Sequence, residues 1–222
     1  MSTRFVKKGN KVILGMAKNG SQALKQLSFN NKDWVRVESD DIPEEILIDH
    51  KTTIYIPIRD EFDRAYSGLI QLLNDIIVDK KIAEKWSAKD IQHYLSNNIV
   101  LDNSYFPKIS YKQIGTIHYF WNYIFLNKKW KGAKFKFFHL KYLSNKFCDY
   151  IKEDPKNIPL YNTAIKTRVK VEIMKYLPSK ELLYKNYFHP HWKKPYQFME
   201  KPIWKRLKTT EYWLDLEDKN LI

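Results

Sequence analysis

Cysteine is almost missing from this chain. Cys148 is the single one in 222 residues, which excludes an intrachain disulfide and leaves too few thiols for a cysteine-based metal site. That usage fits a reducing compartment. No apolar run reaches the length of a membrane span, and the polar, basic first ten residues lack the apolar core of a signal peptide. A cytoplasmic or otherwise soluble intracellular protein is the expectation. Internal repeats and low-complexity linkers are also absent. Acidic residues are in deficit: 25 Asp and Glu against 39 Lys and Arg give a formal charge of +14. An anionic partner follows from that balance, whether nucleic acid, anionic glycan, acidic lipid surface or phosphorylated small molecule. The basic residues concentrate only towards the C-terminus, so charge alone does not choose among them.

What remains is ordinary for a folded domain, with 44% hydrophobic and 29% charged residues. The length favours one domain, taken here as residues 1–222. Apolar, β-branched runs alternate with stretches of helical periodicity. Val12-Ile13-Leu14-Gly15-Met16-Ala17 reads as a buried strand, and Leu24 and Leu27 share one face of a helix over residues 21–29. Trp34-Val35-Arg36-Val37-Glu38-Ser39 alternates as a short strand. An acidic connection carrying Pro43 follows, and then the clearest strand, Thr52-Thr53-Ile54-Tyr55-Ile56-Pro57-Ile58.

From Glu61 onward, Phe62, Ala65, Leu69, Leu72, Leu73 and Ile76 recur at helical spacing. Ser87 caps a further helix. Residues 111–126 form an aromatic helical stretch, and Gly132 breaks the basic linker after it. A strand over residues 134–140 precedes helices over 144–152, 163–176 and 179–187. This alternation predicts an α/β fold: a mostly parallel central sheet flanked by helices. Residues 189–222 are expected as an irregular basic and aromatic tail.

Two stretches carry the chemistry. The first is Lys18-Asn19-Gly20-Ser21-Gln22-Ala23-Leu24, between the first strand and its helix. A glycine turn opening onto free helix N–H groups makes an anion cradle, to which Lys18 adds charge and Ser21 a hydroxyl. The Gly15-x-x-x-x-Gly20 spacing is that of a Walker P-loop, but Ser21 stands where the lysine belongs and Lys18 precedes the glycine. The second is Arg59-Asp60-Glu61-Phe62-Asp63-Arg64-Ala65-Tyr66-Ser67. Arg59 closes the clear strand, while Arg64 and Ser67 lie one turn apart on the next helix. A guanidinium fork and a serine hydroxyl suit one phosphate. Ligands of open α/β sheets bind at the carboxyl ends of strands, so two anion sites on that rim call for a ligand with two phosphate groups.

On these two motifs the chain resembles the sulfotransferases that use 3′-phosphoadenosine 5′-phosphosulfate (PAPS), a likeness best over residues 12–68. In that family a strand followed by a Lys/Arg-x-Gly-Ser/Thr turn holds the 5′-phosphosulfate, as Lys18 to Ala23 would here. A strand ending in Arg and followed by Asp-Pro-x-x-Arg-x-x-Ser holds the 3′-phosphate, as Arg59 and Ser67 would. Glu61 replaces the family's proline, which loosens the turn and leaves both phosphate ligands in place.

The resemblance implies a P-loop-like nucleotide-binding core, with residues 87–130 as an acceptor-specific insertion. It also implies transfer of a sulfuryl group from PAPS to a hydroxyl or amine of an acceptor such as a carbohydrate, with no metal and with 3′-phosphoadenosine 5′-phosphate (PAP) as by-product. Lys18 would stabilise the bridging oxygen. The base would come from the end of the second strand or the loop after it, with Glu38 first, Asp40 second, then Asp41, and His50 a more distant choice.

Other residues have plainer readings. His189-x-His191 lacks a third metal ligand and reads as structural or surface. His93 and His118 fall in helical, aromatic surroundings, and the aromatic band from Tyr111 to Phe125 reads as core. Two rival functions stand beside the sulfotransferase. One is a nucleotide kinase or phosphotransferase on the same core, disfavoured by the displaced lysine. The other is a non-catalytic nucleic-acid-binding protein carried by the charge and by the tail with Trp192, Lys193, Lys194, Trp204 and Arg206.

Overall fold

The computed structural model describes residues 3–15, 21–39, 43–59, 61–78, 85–99, 132–159, 168–179, 182 and 208–217. The chain divides into two compact units. One comprises Met1–Asp60, Thr116–Asn162 and Lys201–Ile222; the other comprises Glu61–Gly115 and Thr163–Glu200.

The first unit is built on a five-stranded sheet of β1 (Thr3–Lys8), β2 (Lys11–Gly15), β3 (Val35–Ser39), β4 (Thr53–Ile58) and β5 (Lys134–His139), in the order β3-β1-β2-β4-β5. β1 pairs antiparallel with both β2 and β3, whereas β2–β4 and β4–β5 are parallel. The sheet is therefore mixed, and the expectation of a mostly parallel one is corrected.

The cause is local. Gly9 takes a φ of +56° and Gly9-Asn10 joins β1 to β2 in register Lys8↔Lys11, a tight hairpin whose first central residue must have positive φ. A segment that reads as polar and basic thus becomes an interior strand, because its two apolar residues, Phe5 and Val6, are both buried between neighbours. Since β1 alone is reversed, β2, β3, β4 and β5 still point the same way. Their carboxyl ends share one rim.

Helix α1 (Ser21–Asn30) follows β2, and α2 (Glu44–Ile48) precedes β4 with Pro43 at its N-cap and Glu44 and Glu45 in its first turn. Residues 40–45, expected as a connection, end in this short helix. The main core lies between the sheet and its helices: Val6, Ile13, Leu24, Leu27, Trp34, Tyr55, Phe138 and Phe147 are all buried there. On the opposite face Val12, Leu14, Ile54 and Ile56 are equally inaccessible. Strands buried on both faces read as continuous apolar runs, which is why β2 and β4 are so clear in the sequence.

Gly132 has a packing reason. A Cβ there would lie 1.9 Å from the Ile48 carbonyl oxygen, at the point where Ala133 N–H donates to Leu47 O and Lys134 N–H to Thr52 O. The close approach brings β5 into register beside β4.

Helix α5 (Lys146–Ile151) carries Phe147, stacked on Phe138 at 4.0 Å between ring centroids. It ends with Lys152 in the left-handed region (φ +58°), where Lys152 N–H donates to Asp149 O and Glu153 N–H to Cys148 O. Burial first, then Asp149, Glu153 and Asp154, push the Cys148 thiol up to about 12. Its sulfur donates to Leu143 O, so this cysteine is an inert core group.

In the second unit, α3 (Glu61–Val78), α4 (Ala88–Asn98) and α6 (Arg168–Tyr176) pack around Leu69, Leu73, Ile77, Ile91, Leu95, Val169 and Ile173. The Ser87 cap is present as a reciprocal box: Asp90 N–H donates to Ser87 Oγ and Ser87 N–H to Asp90 Oδ2. Buried Glu172 accepts from Gln92 and pairs with Lys175 at 2.7 Å, and Tyr176 donates to Ile99 O. Among the described residues no helix is long and apolar enough to cross a membrane.

Candidate active site

The parallel pairing of β2 with β4 sets the geometry of the rim. Their register, Ile13↔Tyr55, brings Gly15 level with Pro57, about 5 Å away across the sheet. Arg59 follows β4 directly, about 7 Å further along the strand direction. The chain leaves β2 at Gly15 and re-enters regular structure at Ser21 in α1. Residues 16–20, with Lys18, Asn19 and Gly20, lie outside the described residues.

Ser21 and Gln22 open α1, whose first N–H groups have no intrahelical acceptor. Ala23 is buried in the core, which leaves only its backbone for any ligand.

Arg59 is half-buried and makes no hydrogen bond or ion pair with the described residues. That is unusual for a guanidinium, which carries five donors and is costly to withdraw from water unpaired. Ser67, also half-buried, lies on α3 in the second unit, whereas Arg59 closes β4 in the first.

The candidate bases separate by strand. Glu38 lies in β3, opposite Arg4, at the same rim as Arg59. The intervening β1 puts β3 about 10 Å from β2 and about 14 Å from β4. Asp40 and Asp41 lie outside the described residues. His50 sits at the opposite rim: it precedes the six-residue β4, about 20 Å from the carboxyl end. The sulfotransferase reading, which puts the acceptor at the Arg59 rim, therefore leaves His50 far from it.

His93 is exposed on α4 with its Nε2 2.9 Å from Asn97 Nδ2. His118, His189 and His191, the aromatic stretch from Tyr111 to Phe125 and the tail from His189 to Arg206 lie outside the described residues. Among the described residues no group of three or more His, Cys, Asp or Glu is placed to hold a metal ion.

Sequence reasoning overlooked the end of β5. His139 pairs with Ile58, so it stands at the same rim as Arg59, and its Nδ1 accepts the Lys141 N–H at 3.1 Å. Lys141 and Tyr142 follow in a 3-10 turn (Leu140–Tyr142). The signal was available, because a strand over 134–140 parallel to β4 must end on that rim.

The opposite rim is occupied by Glu153. Its carboxylate accepts from Trp34 Nε1 (2.7 Å), Asn31 Nδ2 (2.9 Å) and Asn157 Nδ2 (2.7 Å), with Lys8 Nζ at 3.7 Å. Burial acts to raise its pKa, but the hydrogen bonds from Trp34, Asn31 and Asn157 and the charge of Lys8 hold it below the usual glutamate value.

Searches against protein-family models, curated proteins and solved structures found no match to this chain.

Proposed function

We propose that this chain is a PAPS-dependent sulfotransferase that moves a sulfuryl group to a hydroxyl or amine of an acceptor, with a carbohydrate or other anionic molecule as the acceptor class. The observation that carries the reading is Arg59: a half-buried guanidinium beside the exit of β2 that makes no hydrogen bond or ion pair with the described residues. A carboxylate at this position would make Arg59 a structural ion pair. A phosphate supplies the missing counter-charge through a planar, charge-assisted fork. The parallel β2–β4 pair supports the reading further, since both strands end at one rim, β2 just before residues 16–20 and β4 just before Arg59.

In this reading Arg59 holds the 3′-phosphate, and Lys18, Asn19, Gly20, Ser21, Gln22 and Ala23 hold the 5′-phosphosulfate. The acceptor oxygen forms a bond to sulfur while the bond from sulfur to the bridging oxygen breaks, releasing PAP. The acceptor proton passes to a carboxylate, Glu38 or Asp40. Lys18 meets the charge that grows on the bridging oxygen, an interaction stronger in the transition state than in the ground state.

Thermal-shift titrations with PAP, with ATP and Mg²⁺, and with a single-stranded DNA oligonucleotide test the proposal. Stabilisation by PAP that disappears in Arg59→Ala, with none from ATP, is expected. A response to ATP alone would indicate a phosphotransferase, and a response to DNA alone a nucleic-acid-binding protein.

A further inference from the structure

Beyond the end of β5 the chain folds one of its own carboxylates onto a basic cluster. Lys141 Nζ lies 2.8 Å from Glu217 Oε1, and the Tyr142 hydroxyl donates to the same oxygen. Lys208 adds its charge to the carboxylate from the side, and Lys146 stands over the Tyr142 ring at 5.5 Å. Together Lys141, then Tyr142, then the charges of Lys141 and Lys208 hold the Glu217 carboxyl down at about 2.

The strap that delivers Glu217 is anchored upstream of it. Phe137 N–H donates to Tyr212 O, Leu214 N–H donates to Phe137 O, and Leu214 and Leu216 are buried in the core. Glu217 itself needs nothing from that core. Its side chain, like that of Lys141, remains about half exposed (54% for each).

One oxyanion oxygen is thus met by an ammonium and a phenol, with further cations in range, in the solvent-exposed turn after β5. That set would serve a phosphate or sulfate group equally well. It stands next to the strand that Arg59 closes.

We propose that Lys141 and Tyr142 form a second oxyanion site, for a phosphate or sulfate ester group, and that Glu217 occupies it as an internal competitor. An exposed ion pair of this kind exchanges readily, because water and salt screen it and it fixes two long side chains. An external dianion can therefore take the carboxylate's place while Leu214 and Leu216 keep the strap seated. The site does not depend on the sulfotransferase reading, although it lies where an anionic acceptor would approach.

The test is a thermal-shift titration with inorganic sulfate against chloride at constant ionic strength. It uses the full chain, Glu217→Ala, and Glu217→Ala combined with Lys141→Met. Removing the competitor should lower the half-saturating sulfate concentration at least about fivefold, the free-energy scale of an ordinary coupling between sites. The double variant should lose that gain. Equal half-saturation in the full chain and Glu217→Ala overturns the proposal, as does a gain that survives Lys141→Met. A lowered melting temperature without any sulfate dependence also overturns it, since Glu217 would then only fasten the strap. Arg59→Ala separates this site from the nucleotide site: it should abolish the PAP response and leave the sulfate response of Glu217→Ala intact.

Discussion

The two rims of the sheet handle polar groups in opposite ways. At the rim where β2, β3 and β4 begin, the charged and polar side chains are consumed by structure. Glu153 takes three hydrogen bonds, Lys8 pairs with Asp33 and Glu153, and Lys11 donates to Ile151 O. At the rim where those strands end, Arg59 is half-buried and makes no hydrogen bond or ion pair with the described residues. A buried carboxylate that is fully satisfied locks loops together. In the proposed reading, a phosphate of the ligand supplies the counter-charge for Arg59, so stability rests on one rim and binding on the other.

Breaking the first rim should produce the largest effect. Glu153→Ala leaves the buried Trp34 donor and the half-buried donors on Asn31 and Asn157 without their acceptor, which should cost about 2–4 kcal/mol in denaturant unfolding. PAP affinity should be unchanged wherever the protein remains folded. Arg59→Ala is the mirror experiment. It should weaken PAP binding by about 2–3 kcal/mol, roughly 30- to 150-fold in calorimetry, and shift unfolding by less than about 0.5 kcal/mol. If Arg59→Ala instead unfolds the protein while Glu153→Ala impairs binding, the assignment of the rims is reversed.

Gly132→Ala probes the scaffold between the rims. A methyl group would meet the Ile48 carbonyl, so a loss of about 1–3 kcal/mol is expected in the same unfolding assay.

The pH dependence of stability sharpens the comparison. The folded pKa of Glu153 lies below its ordinary 4.5, so its contribution is complete above that pH and is lost as pH falls through the folded value. The stability gap between the parent chain and Glu153→Gln should therefore narrow progressively below pH 4.5. A gap that stays constant would mean the carboxylate charge is irrelevant.

The smallest effect is a gain. Lys152→Gly removes a left-handed lysine at the end of α5 and should stabilise by about 0.5–1 kcal/mol, readable as a raised unfolding midpoint.

Much of this architecture was legible in the sequence. β2 and β4 announce themselves as uninterrupted apolar runs because they are buried on both faces, and the Ser87 cap was readable from its hydroxyl and Asp90. β1 was not, since four of its six residues are Thr, Arg or Lys and only pairing on both sides makes it a strand. That one strand turns a parallel sheet into a mixed one. The Gly9-Asn10 turn was the clue.

The placement of Arg59 at a strand end was legible from the run that precedes it. Its lack of a partner among the described residues was not, because pairing depends on which distant acidic residues the fold brings near. Glu217 shows the same limit from the other side. It reaches Lys141 across 76 positions of the chain, and no local pattern predicts that contact.

The most direct measurement is a crystal structure of the chain with PAP bound. The account predicts the 3′-phosphate within about 3 Å of the Arg59 guanidinium and the 5′-phosphate at residues 18–23, which span the start of α1 at Ser21. A nucleotide bound elsewhere, or at this rim with Arg59 turned away from both phosphates, would contradict it.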